Sequence, residues 1–388
     1  MTAPQSTSWA SEGRLTREAI DEYRLRIGKK FPTEPRGRLR HISPDAIKVY
    51  ALAIGDDRPF WVDAEQAGHS RWNGLVAPPS IVFAVFLGEV MSGLRGVHAF
   101  HGGGAWEFFK PIRSGDTISA ECTFVDVEEK SSEFSPLWLV AYYESVYRNQ
   151  TGEIVAKVLS HQIRVERRTM RSSGTKSKRV VPHVWTDAER ERIEQEMVRQ
   201  QVRGSVTRFF EDVSVGEELP ALVKGPMRQT DLIGWLAATE TFRSTNAGLK
   251  EISRHPGLGL LTTASNARES IESVHWDNDA ARSAGMPGAY DLGAQRHAYM
   301  MQSITDWMGD DGFLKKNACA YRGFVFLGDA LWFGGKVTKK YVDENGESCV
   351  DIESKTLNQH SEDVMPSTST VILPSRERGT HPADRRGR

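Results

Sequence analysis

The segment YALAIGDDRPFWVDAEQA at residues 50–67 decides the fold, because the chain repeats part of it as SVHWDNDAARSAG at residues 273–285. In the two segments Asp63 pairs with Asp277, 214 positions further along the chain. A repeat constrains an architecture more firmly than local propensity does. We therefore expect two copies of one structural unit within the 388 residues.

Further matches extend the repeat in the same order on both sides of these segments. They pair Gly28 with Gly216, Ile47 with Ile233, Ala51 with Ala237, Gly115-Asp116 with Gly328-Asp329, and Gln150 with Gln359. The offset rises from 186 at the two pairs Ile47/Ile233 and Ala51/Ala237 to 214 at Asp63. The second copy is therefore expected to carry about 28 additional residues, between Glu240 and His275.

Each copy is predicted to begin with helices and to end with strands. Ser43-Pro44-Asp45 and Thr230-Asp231 have the residue types of helix N-termini, and the apolar segments 80–91 and 293–309 predict one long central helix per copy. Residues rich in Tyr, Val, Phe and Thr predict strands. These strands are expected at 105–112, 116–129, 138–148 and 153–165, and again at 318–328, 329–343, 348–358 and 361–374. The pattern indicates an α+β fold with an antiparallel sheet wrapped around each central helix.

Changes in composition divide the chain into four parts. We expect an N-terminal unit at 14–168, a basic linker and helix at 169–205, a C-terminal unit at 206–374 and a mobile tail at 375–388. The basic linker has no aromatic side chains between its charges on which bases could stack, which favours a solvated connector over a nucleic-acid site.

Composition excludes several classes of function. With 39% hydrophobic and 26% charged residues and a net charge of −1, the chain is typical of a globular protein without affinity for nucleic acid or an anionic membrane. Its three cysteines lack metal-ligand spacing and, with no signal or membrane segment, favour a reducing cytoplasm. Neither a dinucleotide-binding fingerprint nor a serine-hydrolase elbow is present. We expect no cofactor and no metal.

Residues 50–67 resemble the hydratase motif of the MaoC-like enoyl-CoA hydratase and dehydratase family, which reads Y-A-x-x-x-G-D-x-N-P-x-H-x-D-x-x-x-A. HGGGAWEFFKPIRSGDTI at 101–118 resembles the strand and Gly-Asp turn that follow the central helix in that family. The resemblance spans about residues 14–168 and 206–374 and implies a double hotdog, with a FAS1-like dehydratase domain as its first unit. It also implies an acyl-CoA thioester substrate from fatty acid or steroid metabolism.

The chemistry implied is the reversible addition of water to a 2-enoyl-CoA. This reaction needs a base for water, an acid for C2 and hydrogen-bond donors for the oxyanion on the thioester. In the family the Asp and the His lie five residues apart on one loop. This chain divides the pair, because Trp61 follows Asp56 in the His position, whereas Ser270 precedes His275 in the Asp position.

Four arrangements remain open from the sequence. His275 could work with Glu240, Glu269 or Glu272, or Asp56 and His275 could converge on one composite site. The chain could instead be a weakly active or non-catalytic subunit that pairs with a second hotdog protein, and Asp56 alone could serve a hotdog thioesterase. A homodimer is also open. In the blander interpretation, Asp56 caps a turn and His275 is a core histidine.

Residues near the second central helix are candidates for substrate binding. Gly288 and Gly293 would let a thioester approach the backbone, and helix N–H groups would supply the oxyanion donors. Tyr290, Asp291, Ser270 and Asp277 are further candidates, although Asp277, like Asp63, has the position of a helix cap. His98 and His101 could line the first pocket. The bulk of Trp61 and the extra segment at 241–268 favour a bulky or branched acyl group.

Overall fold

A single antiparallel sheet of ten strands runs through both units of the computed structural model. Residues 13–31, 39–87, 93–132, 136–166, 183–240, 244–254, 261–262, 267–283, 286–377 and 381–382 are described. The strands are β1 (Lys30–Phe31), β2 (Val97–Phe108), β3 (Ser119–Lys130), β4 (Trp138–Arg148), β5 (Ile154–Glu166), β6 (Leu222–Lys224), β7 (Leu261–Thr262), β8 (Arg268–Glu269), β9 (Phe313–Ala320), β10 (Leu331–Val342), β11 (Ser348–Asn358) and β12 (Ser367–Ile372). Their order is β1-β3-β4-β5-β2-β9-β12-β11-β10-β6, and β7 pairs with β8 separately.

The helices lie mostly at the start of each unit, as expected for an α+β fold. They are α1 (Arg17–Arg24), α2 (Pro44–Ala53), α3 (Pro59–Val62), α4 (Ala64–His69), α5 (Val82–Val85), α6 (Asp187–Val198), α7 (Gln229–Ala238), α8 (Thr245–Arg254), α9 (Asn278–Ser283) and α10 (Gly293–Met308). Short 3₁₀ turns cover Pro79–Ile81, Phe210–Asp212 and Ile271–His275. Among the described residues, none of the helices has the length and apolar character needed to cross a membrane.

The two units meet along the antiparallel pair β2–β9 at the centre of the sheet. Gly103 of β2 lies opposite Ala320 of β9, with φ at +142°. A Cβ on Gly103 would come within 2.2 Å of the Cys319 carbonyl oxygen, so only glycine fits here. The pairing of β2 with β5 shifts register between His101 and Gly103, which is a bulge beside the boundary between the units.

Matched turns confirm the internal repeat. The glycines before Asp116 and Asp329 have φ values of +93° and +90°. Each aspartate accepts a backbone N–H of its own turn at 2.7 Å. Gln150 donates to Asp116 at 3.1 Å and Gln359 donates to Asp329 at 2.6 Å. The two turns are therefore built in the same way, as the spacing predicted.

The pairing of the early helices is shifted by one residue from the sequence match. Ile47 is fully buried, and so is Leu232, whereas Ile233 is 38% exposed. The structural counterpart of Ile47 is therefore Leu232, and by the same register Ala51 corresponds to Leu236. Adjacent apolar residues cannot be told apart by sequence matching alone, whereas only one of them faces the core.

The first central helix is much shorter than predicted. Of the helix expected at 80–91, the described part holds the 3₁₀ turn Pro79–Ile81 and the four residues of α5; residues 88–91 lie outside the described part. Phe86 is extended, with φ −156° and ψ 114°, and its carbonyl accepts the Tyr147 hydroxyl at 2.8 Å. That side-chain bond replaces a helical one, and β-branched valines weaken helix propensity here. In the described part of the chain α10 is the one long central helix, and its residues 294–308 are buried.

Strand predictions succeed in full for β4 and β11 but fail for the segment 318–328. There β9 begins earlier and ends at Ala320. The chain then leaves the sheet, and the Arg322 and Gly323 backbones donate to the Val364 carbonyl. The strand expected at 361–374 begins only at Ser367. Aromatic residues such as Phe324 therefore gave a strand signal in a segment that packs beside the sheet.

Helix starts are confirmed at Ser43, whose side chain accepts the Ala46 N–H, and corrected at α7. There Asp231, rather than Thr230, accepts the backbone N–H of Arg228 at 2.9 Å. The predicted charged helix after the linker is α6, capped by Thr186. Residues 169–182 of the predicted linker lie outside the described residues.

The prediction of a mobile tail is wrong for the described residues after 374. Arg376 pairs with both oxygens of Asp212 at 2.7 Å. The His381 ring is buried, with its centre 5.4 Å from that of Trp72. A polar composition reports how little apolar area a tail can bury, and it misses such specific contacts.

Candidate functional site

His275 lies at the end of a 3₁₀ turn with its ring fixed by the backbone. Its Nδ1 is 2.9 Å from the carbonyl oxygen of Tyr290, and the two rings are 4.7 Å apart between centres. Because a carbonyl can only accept, Nδ1 carries the hydrogen and Nε2 holds a free electron pair. Burial lowers the pKa of His275, so the ring is neutral near pH 7. This is the state of a general base.

The N-terminus of α10 lies directly after the residue that fixes His275. The helix begins at Gly293, and no side chain caps it at Leu292. The first N–H groups of a helix have no partner inside it, and the helix dipole adds partial positive charge there. A Cβ on Gly293 would lie 3.0 Å from the ring of Tyr321, so the absent side chain also lets that ring lie against the helix start. This terminus can hold an oxyanion.

Asp291 faces His275 but is itself held by Arg296. The guanidinium donates to both Asp291 oxygens at 2.7 and 2.9 Å and also to the carbonyls of Gly323 and Val364. Burial lowers the pKa of His275 overall, and the negative charges of Asp291 and Glu272 offset part of that lowering. These carboxylates would stabilise an imidazolium without accepting its proton.

Of the three glutamates expected beside His275, Glu272 is the one whose charge acts on its ring. Burial, followed by the nearby charge of Asp277, raises the pKa of Glu269. Glu240 lies two residues after the end of helix α7, with φ +53°. The carboxylates whose charges act on the His275 ring are therefore Asp291 and Glu272.

Three other predicted site residues have structural roles. The Ser270 carbonyl accepts from the backbone N–H of Ser273 at 3.1 Å and from its hydroxyl at 2.7 Å, which closes the 3₁₀ turn. Asp277 accepts the N–H groups of Asp279 and Ala280 in the first turn of α9, both at 2.8 Å, so it is a helix cap. Gly288 leaves room for Asn278, whose oxygen would lie 3.1 Å from a Cβ there.

Asp56 belongs to a buried ion pair, and the expectation that it is catalytic needs correction. Arg58 donates to its two oxygens at 2.9 and 2.7 Å, and the Trp61 indole donates at 2.7 Å. Burial alone would raise the pKa of Asp56, but Arg58 and these hydrogen bonds hold it below its ordinary value. Both oxygens are occupied, so Asp56 has no free site for activating water. The same geometry weighs against a thioesterase built on Asp56.

Arg58 ties this ion pair to the far end of α10. It donates to the carbonyl and the hydroxyl of Thr305 at 3.2 and 2.9 Å. Asp306 and Asp310 lie 3.5 and 3.9 Å from the guanidinium. Burial raises the pKa of Asp306 to about 7 and that of Asp310 to about 6. The first unit's motif has thus become a contact that holds the two units together.

The two halves of the divided motif do not meet. The Asp56–Arg58 pair contacts Thr305, whereas His275 contacts Tyr290, just before α10 begins. At 1.5 Å per residue these points are about 20 Å apart along the helix. The composite site of Asp56 and His275 is therefore wrong.

The first unit also lacks the donor that Gly293 supplies. Isolated bridges place Val76 opposite Arg113 and Tyr290 opposite Phe326 in matching positions of the two units. Three residues after Val76 comes Pro79, in the position of Gly293. Proline has no N–H group, so the first helix start offers one donor fewer for an oxyanion.

His101 lines a cavity that is formed mainly by residues of the first unit. The cavity also reaches Ala294, His297 and Tyr321 of the second unit. The sequence analysis did not foresee the contribution of the second unit, nor the roles of Arg58 and Arg296. One signal was available, because Arg58 stands where the family motif has Asn.

A cluster of Asp343, Glu347 and Cys349 has metal-ligand chemistry but is neutralised by the chain itself. Lys315 donates to the two carboxylates at 2.6 and 2.8 Å. An ammonium group in this position competes with a cation, so the cluster gives no argument for a metal centre.

Comparisons with known proteins bear on the first unit and on the whole fold separately. Residues 27–158 match the family model described as FAS1-like, dehydratase domain region. Over 141 residues the chain is 26% identical to a UPF0336 protein of Streptomyces griseus, which is 34% of this chain and 89% of that relative. A UPF0336 protein of Streptomyces avermitilis is 27% identical over 110 residues, 26% of this chain and 71% of the relative.

Solved structures match almost the whole chain. A MaoC-like dehydratase superposes with a TM-score of 0.60 at 16% identity, over 90% of this chain and 98% of that one. A conserved hypothetical protein of Mycobacterium tuberculosis, described as having a double hotdog fold, gives a TM-score of 0.56 at 12% identity, over 92% of this chain and 99% of that one. At such low sequence identities, these superpositions establish the fold and nothing beyond it. The chain therefore has the double hotdog fold, and within its first unit residues 27–158 match the FAS1-like dehydratase domain region.

Proposed function

We propose that this chain catalyses the reversible hydration of a 2-enoyl-CoA to a 3-hydroxyacyl-CoA at His275. One observation carries the proposal: Nδ1–H of His275 is held by the Tyr290 carbonyl, which leaves Nε2 as a neutral base. The N-terminus of α10, without a side-chain cap, begins three residues after Tyr290. A base and oxyanion donors are the two groups that water addition to a thioester requires.

The reaction follows from these two groups. Nε2 of His275 takes a proton from water as the water oxygen bonds to C3 of the enoyl group. The C2–C3 π electrons move towards C1, and the carbonyl electron pair moves onto the thioester oxygen, which the first N–H groups of α10 stabilise. The imidazolium then returns its proton to C2 as the carbonyl re-forms. Dehydration is the same path in reverse.

Asp291 and Glu272 support this cycle electrostatically. His275 carries a positive charge only between the two proton transfers, and both carboxylates stabilise that charge. The Asp291 carboxylate stays paired with Arg296 throughout, so it does not compete with His275 for the water proton.

We extend the proposal to a bulky or branched acyl group, as in branched fatty acid or steroid side-chain metabolism. Two features of the sequence support this extension. The extra segment at 241–268 would reshape the mouth of the second pocket, and Trp61 would fill part of the first.

The test is product analysis with the purified chain and a panel of straight, branched and ring-bearing 2-enoyl-CoA thioesters. We expect loss of the enoyl absorbance without release of free thiol, and its return when the 3-hydroxyacyl-CoA is supplied. Release of CoA thiol from a saturated acyl-CoA would instead establish a thioesterase. Activity that emerges only when a second hotdog protein is added, after size-exclusion chromatography of the chain alone, would establish a non-catalytic subunit. Either outcome would overturn the proposal.

A further inference from the structure

The ring of His101 is held in the tautomer opposite to that of His275. The amide nitrogen of Gln162 lies 3.0 Å from Nδ1 of His101. An amide nitrogen can only donate, so Nδ1 accepts and Nε2 carries the hydrogen. Among the residues that the structure describes, none accepts a hydrogen bond from this Nε2. His101 therefore presents an N–H donor, whereas His275 presents an electron pair.

His101 lies beside the start of the second unit's central helix. It shares a cavity with Ala294, the second residue of α10. The charge of His275 acts on the His101 ring, so the two imidazoles lie within electrostatic reach of each other. Strand β2 of the first unit thus brings His101 next to the loop and helix start that hold His275.

The surroundings of His101 keep its ring neutral. Crowding by protein atoms lowers its pKa, and the charges of His275 and His161 lower it further. His101 nevertheless keeps an exposed surface, so a ligand can reach its ring from solvent. A neutral imidazole is a poor proton donor to carbon, but it can hydrogen-bond an oxyanion without losing its proton.

The other imidazole of this cavity is already occupied. His297 bonds through Nε2 to the Asn317 amide oxygen and through Nδ1 to the thiol of Cys319 at 3.4 Å. Its interactions are satisfied within the core, and burial lowers its pKa to about 4. His101 is thus the histidine of the cavity lining with a donor to offer.

A bulge in β2 lies beside His101. The register of the β2–β5 pairing shifts between His101 and Gly103, and from Gly103 onwards the other edge of β2 pairs with β9. A bulge changes the direction in which a strand side chain points and is common beside active sites.

We propose that His101 of the N-terminal unit donates its Nε2–H to the thioester oxygen of a substrate bound at His275, so that one reaction site is built from both units. This inference rests on the proposed hydratase function. It makes His101 a second donor to the enolate oxygen, besides the N–H groups of α10, and gives the first unit a direct part in chemistry despite its inactive motif.

The first experiment compares His101→Leu with His101→Gln in steady-state hydration of an active 2-enoyl-CoA. Removing one oxyanion donor should lower kcat by about 100-fold, with KM changed less than about threefold. The Gln variant retains an N–H donor of similar reach and should keep kcat within about tenfold of the wild type. The matched control is His98→Leu, since His98 lies on the same strand and stacks on Phe100; its kcat should be unchanged.

The second experiment reverses the His101 tautomer with Gln162→Glu. A carboxylate accepts a hydrogen bond, so it would favour the neutral tautomer with the hydrogen on Nδ1. At pH 8, Nε2 of His101 would then have no hydrogen to donate. The carboxylate would also raise the pKa of His101, so that the imidazolium, with hydrogen on both nitrogens, returns at lower pH. We expect the ratio of the variant's kcat to the wild-type kcat to rise as the pH falls from 8 to 6. If His101 only filled space, that ratio would not change with pH.

The outcomes separate the two proposals. If the wild type hydrates no thioester of the panel, the proposed function fails. If the wild type is active and His275→Ala is not, but a folded His101→Leu variant keeps kcat within threefold of the wild type, the role of His101 fails alone. A His101→Gln variant as impaired as His101→Leu, with equal thermal midpoints, would also contradict the donor role.

Discussion

Replacing Asp56 with alanine should destabilise the protein while leaving its chemistry intact. Asp56 accepts three hydrogen bonds from the side chains of Arg58 and Trp61, and Arg58 is 6% exposed. The substitution leaves that guanidinium buried without its closest partner. Breaking a buried pair from one side costs about 3–5 kcal/mol.

The structure argues for the lower end of that range. Arg58 would keep its bonds to Thr305, and Asp306 and Asp310 lie 3.5 and 3.9 Å away. We therefore expect a loss of about 3 kcal/mol in the free energy of unfolding at pH 7.5. Removing both charges, in Asp56→Ala with Arg58→Met, should cost less than Asp56→Ala alone.

The assay is urea unfolding followed by tryptophan fluorescence, with enoyl-CoA hydration measured on the same preparations. Asp63→Ala is the control, because it removes a helix cap and should cost only about 1 kcal/mol. A loss below 1 kcal/mol in Asp56→Ala would refute the ion-pair argument. A tenfold fall in kcat in a fully folded Asp56→Ala variant would show that Asp56 takes part in catalysis.

Three further predictions follow from the same geometry. Because burial raises the pKa of Asp306 to about 7, the folded state holds a proton between about pH 4 and 7 that the unfolded state has released, so this group costs stability as the pH rises. In urea unfolding, the free energy of unfolding of Asp306→Asn minus that of the wild type should therefore increase from pH 5 to pH 8. A difference that stays the same over this range would contradict the argument. Trp61→His restores the Asp–His pair of the first motif but should restore no activity in a His275→Ala background, since Arg58 still occupies Asp56; recovered turnover would show a latent first site. Gly293→Ala forces a Cβ within 3.0 Å of the Tyr321 ring, so kcat should fall by about tenfold with a small change in KM, and an unaffected kcat would remove this helix start from the reaction.

The sequence predicted the two-unit architecture because turn residues are strict. Gly115 and Gly328 both need positive φ, and the aspartate after each is held by a glutamine from the matching loop. Such constraints leave recognisable letters at fixed spacing. The one-residue error in matching Ile47 arose because Leu232 and Ile233 are both apolar and align equally well, although only Leu232 is buried.

The short first helix could not be read from composition. Residues 80–91 are apolar, and an apolar run is compatible with a buried helix of any length. Its end depends on the Tyr147 hydroxyl, which reaches Phe86 from a distant strand. A contact of that kind follows from the assembled sheet and leaves no local signal.

For a similar reason, the sequence predicted only those residues of the candidate site that belong to local features. His275 and Gly293 stood out because motif and helix start are local features. The fate of Asp56 depended on Arg58, two residues away, and on Thr305, 249 residues away. His101 comes next to the second unit through the pairing of β2 with β9. Contacts between distant parts of the chain therefore determine the surroundings of both motifs.

The measurement that tests the central claim most directly is hydration of an active 2-enoyl-CoA by folded His275→Ala, compared with Asp56→Ala under the same conditions. A positioned general base contributes about 10²–10⁴-fold. We predict that His275→Ala loses turnover by at least about 100-fold with an unchanged thermal midpoint, whereas Asp56→Ala keeps its turnover and loses stability. The reverse pattern, with His275→Ala active and Asp56→Ala inactive while folded, would contradict the assignment of the chemistry to the second unit.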